Sequence, residues 1–166
     1  MRAPLPTAVR AMRESDLDAV LAVQAQCYPP AMQEAGDVVL ARLRAAAGTT
    51  LVACDDAGVC AYLFAYPSRR GAVTPLGGRF RLPVRPDTLY LHDLAVAPHA
   101  LGQGLARTLV GRMLALAAAE GLMHSALVSV QDTQPFWEAL GYAAADGDAA
   151  GLASYPPGAR YMARPL

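Results

Sequence analysis

The sequence predicts a single α/β domain built around one central sheet. Three observations carry that expectation. The chain has 166 residues, about one domain's worth. Hydrophobic residues make up 54% and charged residues 17%, which supplies a core and excludes a disordered chain. Strand-like and helix-like apolar patterns follow one another in the order β-α-α-β-β-β-α-β-α-β-β, which is not a regular βαβ repeat.

Thr7 to Met12 alternates loosely and reads as the first strand. In "RESDLDAVLAVQAQCY", Ser15 is a good N-cap residue with Asp18 three positions on. Leu17, Val20, Leu21 and Val23 then recur at helical spacing, and Pro29 and Pro30 end the helix. A second helix is expected from about Asp37 to Ala46, closed by Gly48. Leu51–Cys54 and Val59–Tyr66 flank Asp55-Asp56-Ala57-Gly58 and read as a hairpin. Pro67 to Asp87 forms a long loop with four prolines, three glycines and five arginines, and loops of that length are functional or disordered. Thr88–Val96 is a strand. Gly104–Glu120 is the clearest helix, with Leu105, Leu109, Met113 and Leu116 on one face and Gly121 as its stop. Ala126–Val130 is a strand, and Pro135–Leu140 a short helix closed by Gly141. The remainder, "YAAADGDAAGLASYPPGARYMARPL", reads as two short strands around a Gly/Pro-rich turn.

Composition removes several functions. Formal net charge is zero, 14 arginines against 14 acids, so nucleic acid is not an expected partner. No apolar run nears the ~20 residues of a membrane span. The opening "MRAPLPTAVRAM" carries no signal-peptide stretch, so the expectation is a soluble cytoplasmic protein. The chain contains no lysine, isoleucine or asparagine, a bias expected of GC-rich bacterial coding. Without lysine there is neither Schiff-base chemistry nor a Walker A phosphate loop. Cys27, Cys54 and Cys60 lack metal-ligand spacing, and their odd number argues against a disulfide framework. Cys54 and Cys60 read as small core hydrophobes. No metal is expected.

The informative stretch is "LHDLAVAPHALGQGLARTLV", Leu91 to Val110. A strand ends at Val96, Pro98 stops the ladder, and Gly102 and Gly104 lead directly into a helix. The first turn of a helix offers unpaired N–H groups and a partial positive charge. Glycines let an anion approach those groups closely, and a phosphate or pyrophosphate is the natural ligand. Arg107 in the first turn adds a charge-assisted donor. The alternative is an ordinary tight strand-to-helix turn. A Rossmann site fits poorly: there is no third glycine, and the loop sits mid-chain after a hairpin.

Together with "LVSVQDTQPFWEALGY", this stretch resembles the GNAT family of N-acetyltransferases. The matching residues are Leu94-Ala95-Val96, Pro98, Leu101-Gly102-Gln103-Gly104-Leu105-Ala106, and Phe136-Trp137-Glu138-Ala139-Leu140-Gly141-Tyr142. The resemblance implies a mixed sheet of about six to seven strands flanked by helices, with a splayed strand pair holding the cofactor. It implies acetyl-CoA as acyl donor and a primary amine of a small molecule or peptide as acceptor, and it admits a homodimer. The amides of Gly102, Gln103, Gly104, Leu105, Ala106 and Arg107 would hold the pyrophosphate. The main chain of Leu94, Ala95 and Val96 would pair with the pantetheine, and an amide near Leu94 would polarise the thioester carbonyl. Two residues depart from the family pattern. Leu101 stands where Arg or Gln is usual, and Trp137 where many members have a Tyr that protonates the thiolate. The alternatives are Tyr142, Tyr155 or Tyr161 as the acid, water as the acid, or departure of the thiolate unaided.

An alkylammonium must lose a proton before it attacks a thioester. Tyr90, His92, Leu94 and Val96 share one face of their strand; Leu91, Asp93 and Ala95 share the other. The resemblance supports His92 as the base, acting on the acceptor through a water. The competing readings are a histidine satisfied by a nearby carbonyl, and Asp93 as base if a bulge reverses the faces. His99 and His124 read as surface residues. Tyr28 and Glu34 are candidate acceptor-site residues, Glu34 for a cationic amine and the arginine loop for an acidic group; ordinary packing and solvation are their alternatives. The rival function is a catalytically silent CoA-binding sensor or partner protein, supported by Leu101 and Trp137. A third is nucleotide binding at the glycine turn.

Overall fold

The computed structural model describes residues 7–166; the first half of "MRAPLPTAVRAM", read above for a leader, lies outside the described residues. The elements are β1 (Ala8–Ala11), α1 (Leu17–Cys27), α2 (Gly36–Ala45), β2 (Thr50–Asp55), β3 (Gly58–Ser68), β4 (Thr88–Val96), α3 (Leu105–Ala119), β5 (His124–Ser129), α4 (Gln134–Ala139), β6 (Ala143–Ala144), α5 (Ala149–Leu152) and β7 (Arg160–Pro165). The strands form one seven-stranded sheet in the order β1-β2-β3-β4-β5-β7-β6. It is mixed, as expected. β4 and β5 run parallel, while β1–β2, β2–β3, β5–β7 and β6–β7 are antiparallel. No helix among the described residues is long and apolar enough to cross a membrane.

Two compact units divide the chain, one holding residues 7–64 and Asp93–Met113, the other Ala65–His92 and Leu114–Leu166. In the first unit the β2–β3 hairpin turns where its sequence demands. Ala57 N–H donates to the Asp55 carboxylate at 2.8 Å, the chain reverses over Asp56-Ala57, and Asp55 pairs with Gly58, whose φ of 112° favours glycine. Val20 and Val23 of α1, Val39 and Leu43 of α2, and Leu109 and Val110 of α3 are buried, with Val52, Tyr62 and Leu63 from the hairpin. Cys60 is buried as expected, whereas Cys54 is only half-buried. One expectation is corrected at the start of α1. Ser15 is exposed and caps nothing; a short 3-10 turn spans Glu14–Asp16 instead. Asp16 takes over because its carboxylate collects three donors: Arg13 N–H at 2.8 Å and the Arg10 guanidinium at 2.7 and 2.8 Å. A charged acceptor with two-pronged arginine contact outcompetes a serine hydroxyl.

In the second unit β5 is bonded on both sides, to β4 over Thr88–Leu91 and to β7 over its whole length. The ladder to β4 ends at Leu91–Leu127, while both strands continue beyond it. The loop after β3 is packed rather than disordered. Its ends meet where Asp87 N–H donates to Ser68 O at 3.0 Å and Arg70 N–H to the Asp87 carboxylate at 2.9 Å. Phe80 stacks on Tyr66 at 4.2 Å, and Tyr155 donates to Thr74 O at 2.7 Å. It is a compact loop closed on itself and filled by its own side chains. The C-terminal segment adds α5, which the glycine-rich sequence concealed. Asp148 caps this single turn by accepting Gly151 N–H at 3.0 Å.

Candidate active site

The first unit carries the glycine turn. Ala97 N–H donates to Cys60 O at 2.8 Å, so the backbone at Ala97 faces β3. Strand alternation then turns the backbone groups of Leu94 and Val96 the other way. After a 3-10 turn over Pro98–Ala100 the chain passes through Gly102 (φ 82°) and Gly104 (φ 73°). Both conformations are left-handed and favour glycine. A Cβ on either would meet no protein atom within 4 Å, so these glycines leave open space above the turn. The first i→i−4 bond of α3 runs from Thr108 N–H to Gly104 O at 3.0 Å. The amides of Leu105 and Ala106 therefore precede any intrahelical acceptor. Leu101 through Gly104 and Arg107 are exposed. An open, amide-rich turn beside a cation fits a phosphate or pyrophosphate. Leu101, 65% exposed, brings no polar group to it.

The acetyltransferase (GNAT) family model matches residues 13–142. The chain belongs to the GNAT family. Among solved structures it is similar to Ard1 from Thermoplasma volcanium, at 15% identity over 98% of this chain and 99% of that one, with a TM-score of 0.73. It is also similar to a GNAT superfamily phosphinothricin acetyltransferase from Sinorhizobium meliloti in complex with AcCoA. There the identity is 18% over 98% and 89% of the chains, and the TM-score 0.69. A third is the GphF GNAT-like decarboxylase in complex with isobutyryl-CoA, at 22% over 81% and 71%, TM-score 0.67. At these identities the likeness is one of fold. No curated protein matches the sequence.

Within the GNAT frame, β4 carries the candidate bases. Asp93 Oδ1 lies 2.8 Å from the Tyr28 hydroxyl and Oδ2 lies 2.8 Å from the Tyr62 hydroxyl. Tyr28 Oη is also 3.1 Å from Leu94 O, and Cys27 Sγ is 3.2 Å from Val96 O. The end of α1 thus reaches alternate carbonyls of β4. Burial first, and then the Asp93 charge, push both phenols well above their ordinary range, so both remain protonated donors. Each oxygen of Asp93 accepts one of them.

His92 lies in the second unit and is half-buried. Its ring stacks beside Tyr90 at 6.3 Å and meets the edge of Phe80 at 5.5 Å. Tyr90 and His92 therefore share a face. His99 is exposed but paired, with Nε2 2.8 Å from Asp55 Oδ2; His124 is half-buried at the start of β5.

Glu34 corrects an expectation. Rather than facing an acceptor, it is buried in a two-pronged ion pair with Arg42, both contacts at 2.5 Å. Gln24 holds the Glu34 main chain from both sides, at 3.0 and 3.1 Å. A buried carboxylate needs a partner, and α2 supplies one eight residues on. Tyr28 is held by Asp93.

Trp137 is buried, edge-on to Phe136 at 4.9 Å and to Tyr142 at 5.5 Å. The three other tyrosines considered as acids are all engaged. Tyr142 shares a hydrogen bond with Ser125 at 2.7 Å, and burial pushes its phenol up to about 12. Tyr155 donates to Thr74 O, and Tyr161 accepts Gly71 N–H at 2.7 Å. An open hollow of about 460 Å³ in the same unit is lined by Ser129, Asp132, Gln134, Glu138 and Arg160.

Sequence reasoning missed Tyr62, Cys27 and Phe80. The Tyr62–Asp93 contact joins residues 31 positions apart, and no local pattern marks it. Phe80 was the one aromatic residue in an otherwise Arg/Pro/Gly-rich loop, and that was its available signal.

Proposed function

We propose that this GNAT protein transfers an acetyl group from acetyl-CoA to a primary amine of a small molecule or peptide by direct attack. The observation that carries the reading is the pair of left-handed glycines opening onto the first amides of α3, in the turn between β4 and α3. The amides from Gly102 to Arg107 would hold the pyrophosphate, and Leu94 to Val96 the pantetheine. When bound, acetyl-CoA supplies an activated acyl carbon and a thiolate leaving group. The acceptor ammonium first gives one proton to the base; a C–N bond then forms at its nitrogen, the C–S bond breaks, the nitrogen gives up a second proton and the thiolate takes one. The Leu94 amide would stabilise the charge developing on the carbonyl oxygen.

His92 is the proposed base, in preference to Asp93, because both Asp93 oxygens already accept tyrosine hydroxyls whereas an imidazole suits proton removal at neutral pH. The silent CoA-binding reading draws on the exposed Leu101 and on the indole of Trp137.

A melting-temperature titration with acetyl-CoA, CoA, ATP and NAD tests the cofactor. At about 100-fold over its dissociation constant a ligand adds roughly 2.7 kcal/mol, a shift of about 5–10 °C for a domain near this size. The expected result is a shift with acetyl-CoA and CoA alone, followed by amine-dependent thiol release that His92→Ala lowers at neutral pH. A shift without transfer to any amine favours the silent reading; no shift at all sinks the proposal.

A further inference from the structure

Five arginines, Arg69, Arg70, Arg79, Arg81 and Arg85, fall in the loop between β3 and β4. The one acid in that stretch is Asp87, whose carboxylate is occupied by Arg70 N–H and, at 2.7 Å, by the Thr88 hydroxyl. The chain as a whole has zero net charge, so this segment holds a local cationic excess. The run Arg79-Phe80-Arg81-Leu82-Pro83-Val84-Arg85 is a ribbon along the loop. Its three arginines are exposed, Leu82 is 49% exposed and Val84 98%. Among the described residues no carboxylate pairs with Arg79, Arg81 or Arg85. Phe80 alone points inward, stacked on Tyr66 and edge-on to His92. The ribbon is therefore fastened by its own second residue to the side chain proposed as base.

We propose that this ribbon docks the acceptor, and that the acceptor is a polypeptide with acidic residues close behind its reacting amine. The proposal rests on the amine-acetylation reading above. Arg79 and Arg81 are exposed on either side of the inward Phe80 and offer two cations to carboxylates on alternate positions of an extended peptide, which lie about 6.6 Å apart. Unpaired surface arginines also attract an anionic chain from a distance. Leu82 and Val84 argue for a polypeptide over a free amino acid, which would leave both in water. They argue against a nucleic acid too, because the ribbon's one aromatic ring is buried and offers bases no stacking face.

The test uses the full chain and labelled peptides of equal length beginning with the same alanine, followed by Asp-Val-Glu, Ser-Val-Ser or Arg-Val-Arg. Fluorescence anisotropy reads binding without turnover, and thiol release reads transfer. The acidic peptide is expected to bind about tenfold more tightly than the neutral one, a margin consistent with several exposed charge pairs. That margin collapses near ~0.5 M salt. The triple variant R79Q/R81Q/R85Q loses the margin while keeping its acetyl-CoA-dependent melting shift, which reports that it is folded. In turnover the loss falls on KM for the acidic peptide. Transfer without charge preference, or a preference that survives in the triple variant, overturns this proposal and leaves the parent reading intact. Binding of an oligonucleotide of equal charge as tightly as the acidic peptide also overturns it. Failure to acetylate any amine at saturating acetyl-CoA overturns the parent reading and this acceptor assignment together.

Discussion

Asp16 shows how one carboxylate fixes the entry to α1. Its partner Arg10 first, and then the Arg13 amide, hold its carboxyl below the ordinary carboxylate value against an opposing effect of burial. A lowered folded-state value means stabilisation that is fully present above the unfolded value of about 3.9 and disappears as pH falls through the folded one. Asp16→Asn is expected to be less stable than the wild type at neutral pH, by about 1–3 kcal/mol. The two should converge as pH falls below the lowered folded-state value. Urea unfolding at several pH values checks this; a constant difference down to low pH would show that the carboxylate's charge is not what matters. The residue scale is also where sequence reasoning was weakest. Glu34 and Ser15 each had a sensible role by residue type. What reassigned them was a partner, Arg42 in one case and the neighbouring Asp16 in the other, and partner choice depends on packing.

At the scale of elements the pattern was far more readable. The β4 strand runs over the residues its alternation predicted, and α3 begins one residue after the second glycine of the turn. These elements were legible because strong local rules agree there: β-rich alternation, Pro98 as a stop, and glycines that tolerate positive φ. The four-residue α5 was not legible, since one capped turn leaves almost no periodicity. The glycine turn carries its own prediction. Placing a side chain at Gly104 forces a left-handed conformation that costs roughly 1–2 kcal/mol, although the space around it is open. Gly104→Ala should therefore fold with that modest loss and show a smaller melting shift with acetyl-CoA. A variant with full wild-type stability and an undiminished shift would mean the turn tolerates the methyl and does not meet the ligand closely.

For the molecule as a whole, the sheet order ranks the strands by protection. Ser125 to Leu127 of β5 are bonded to β4 on one side and β7 on the other, and β5 side chains there are buried. β6 has two residues, both exposed, at the end of the sheet. Native-state hydrogen exchange is expected to be slowest in β5 and fastest in β6; comparable rates in the two would contradict the ladder. The seven-stranded count and its mixed character followed from element order and family pattern. Which side chains meet across the ladders did not, because register is decided by pairing between distant segments.

The sheet ends on β1, four residues long, and on β6, which leaves most of β7 beyond its cover. That remaining length of β7 begins at Arg160 and closes with Arg164 and Pro165, charged side chains and a residue with no amide to donate. Short margins, fixed charge and a proline are the devices by which sheets resist edge-to-edge stacking. In concentrated solution this fold offers a neighbouring chain little bare ladder on which to seed an aggregate.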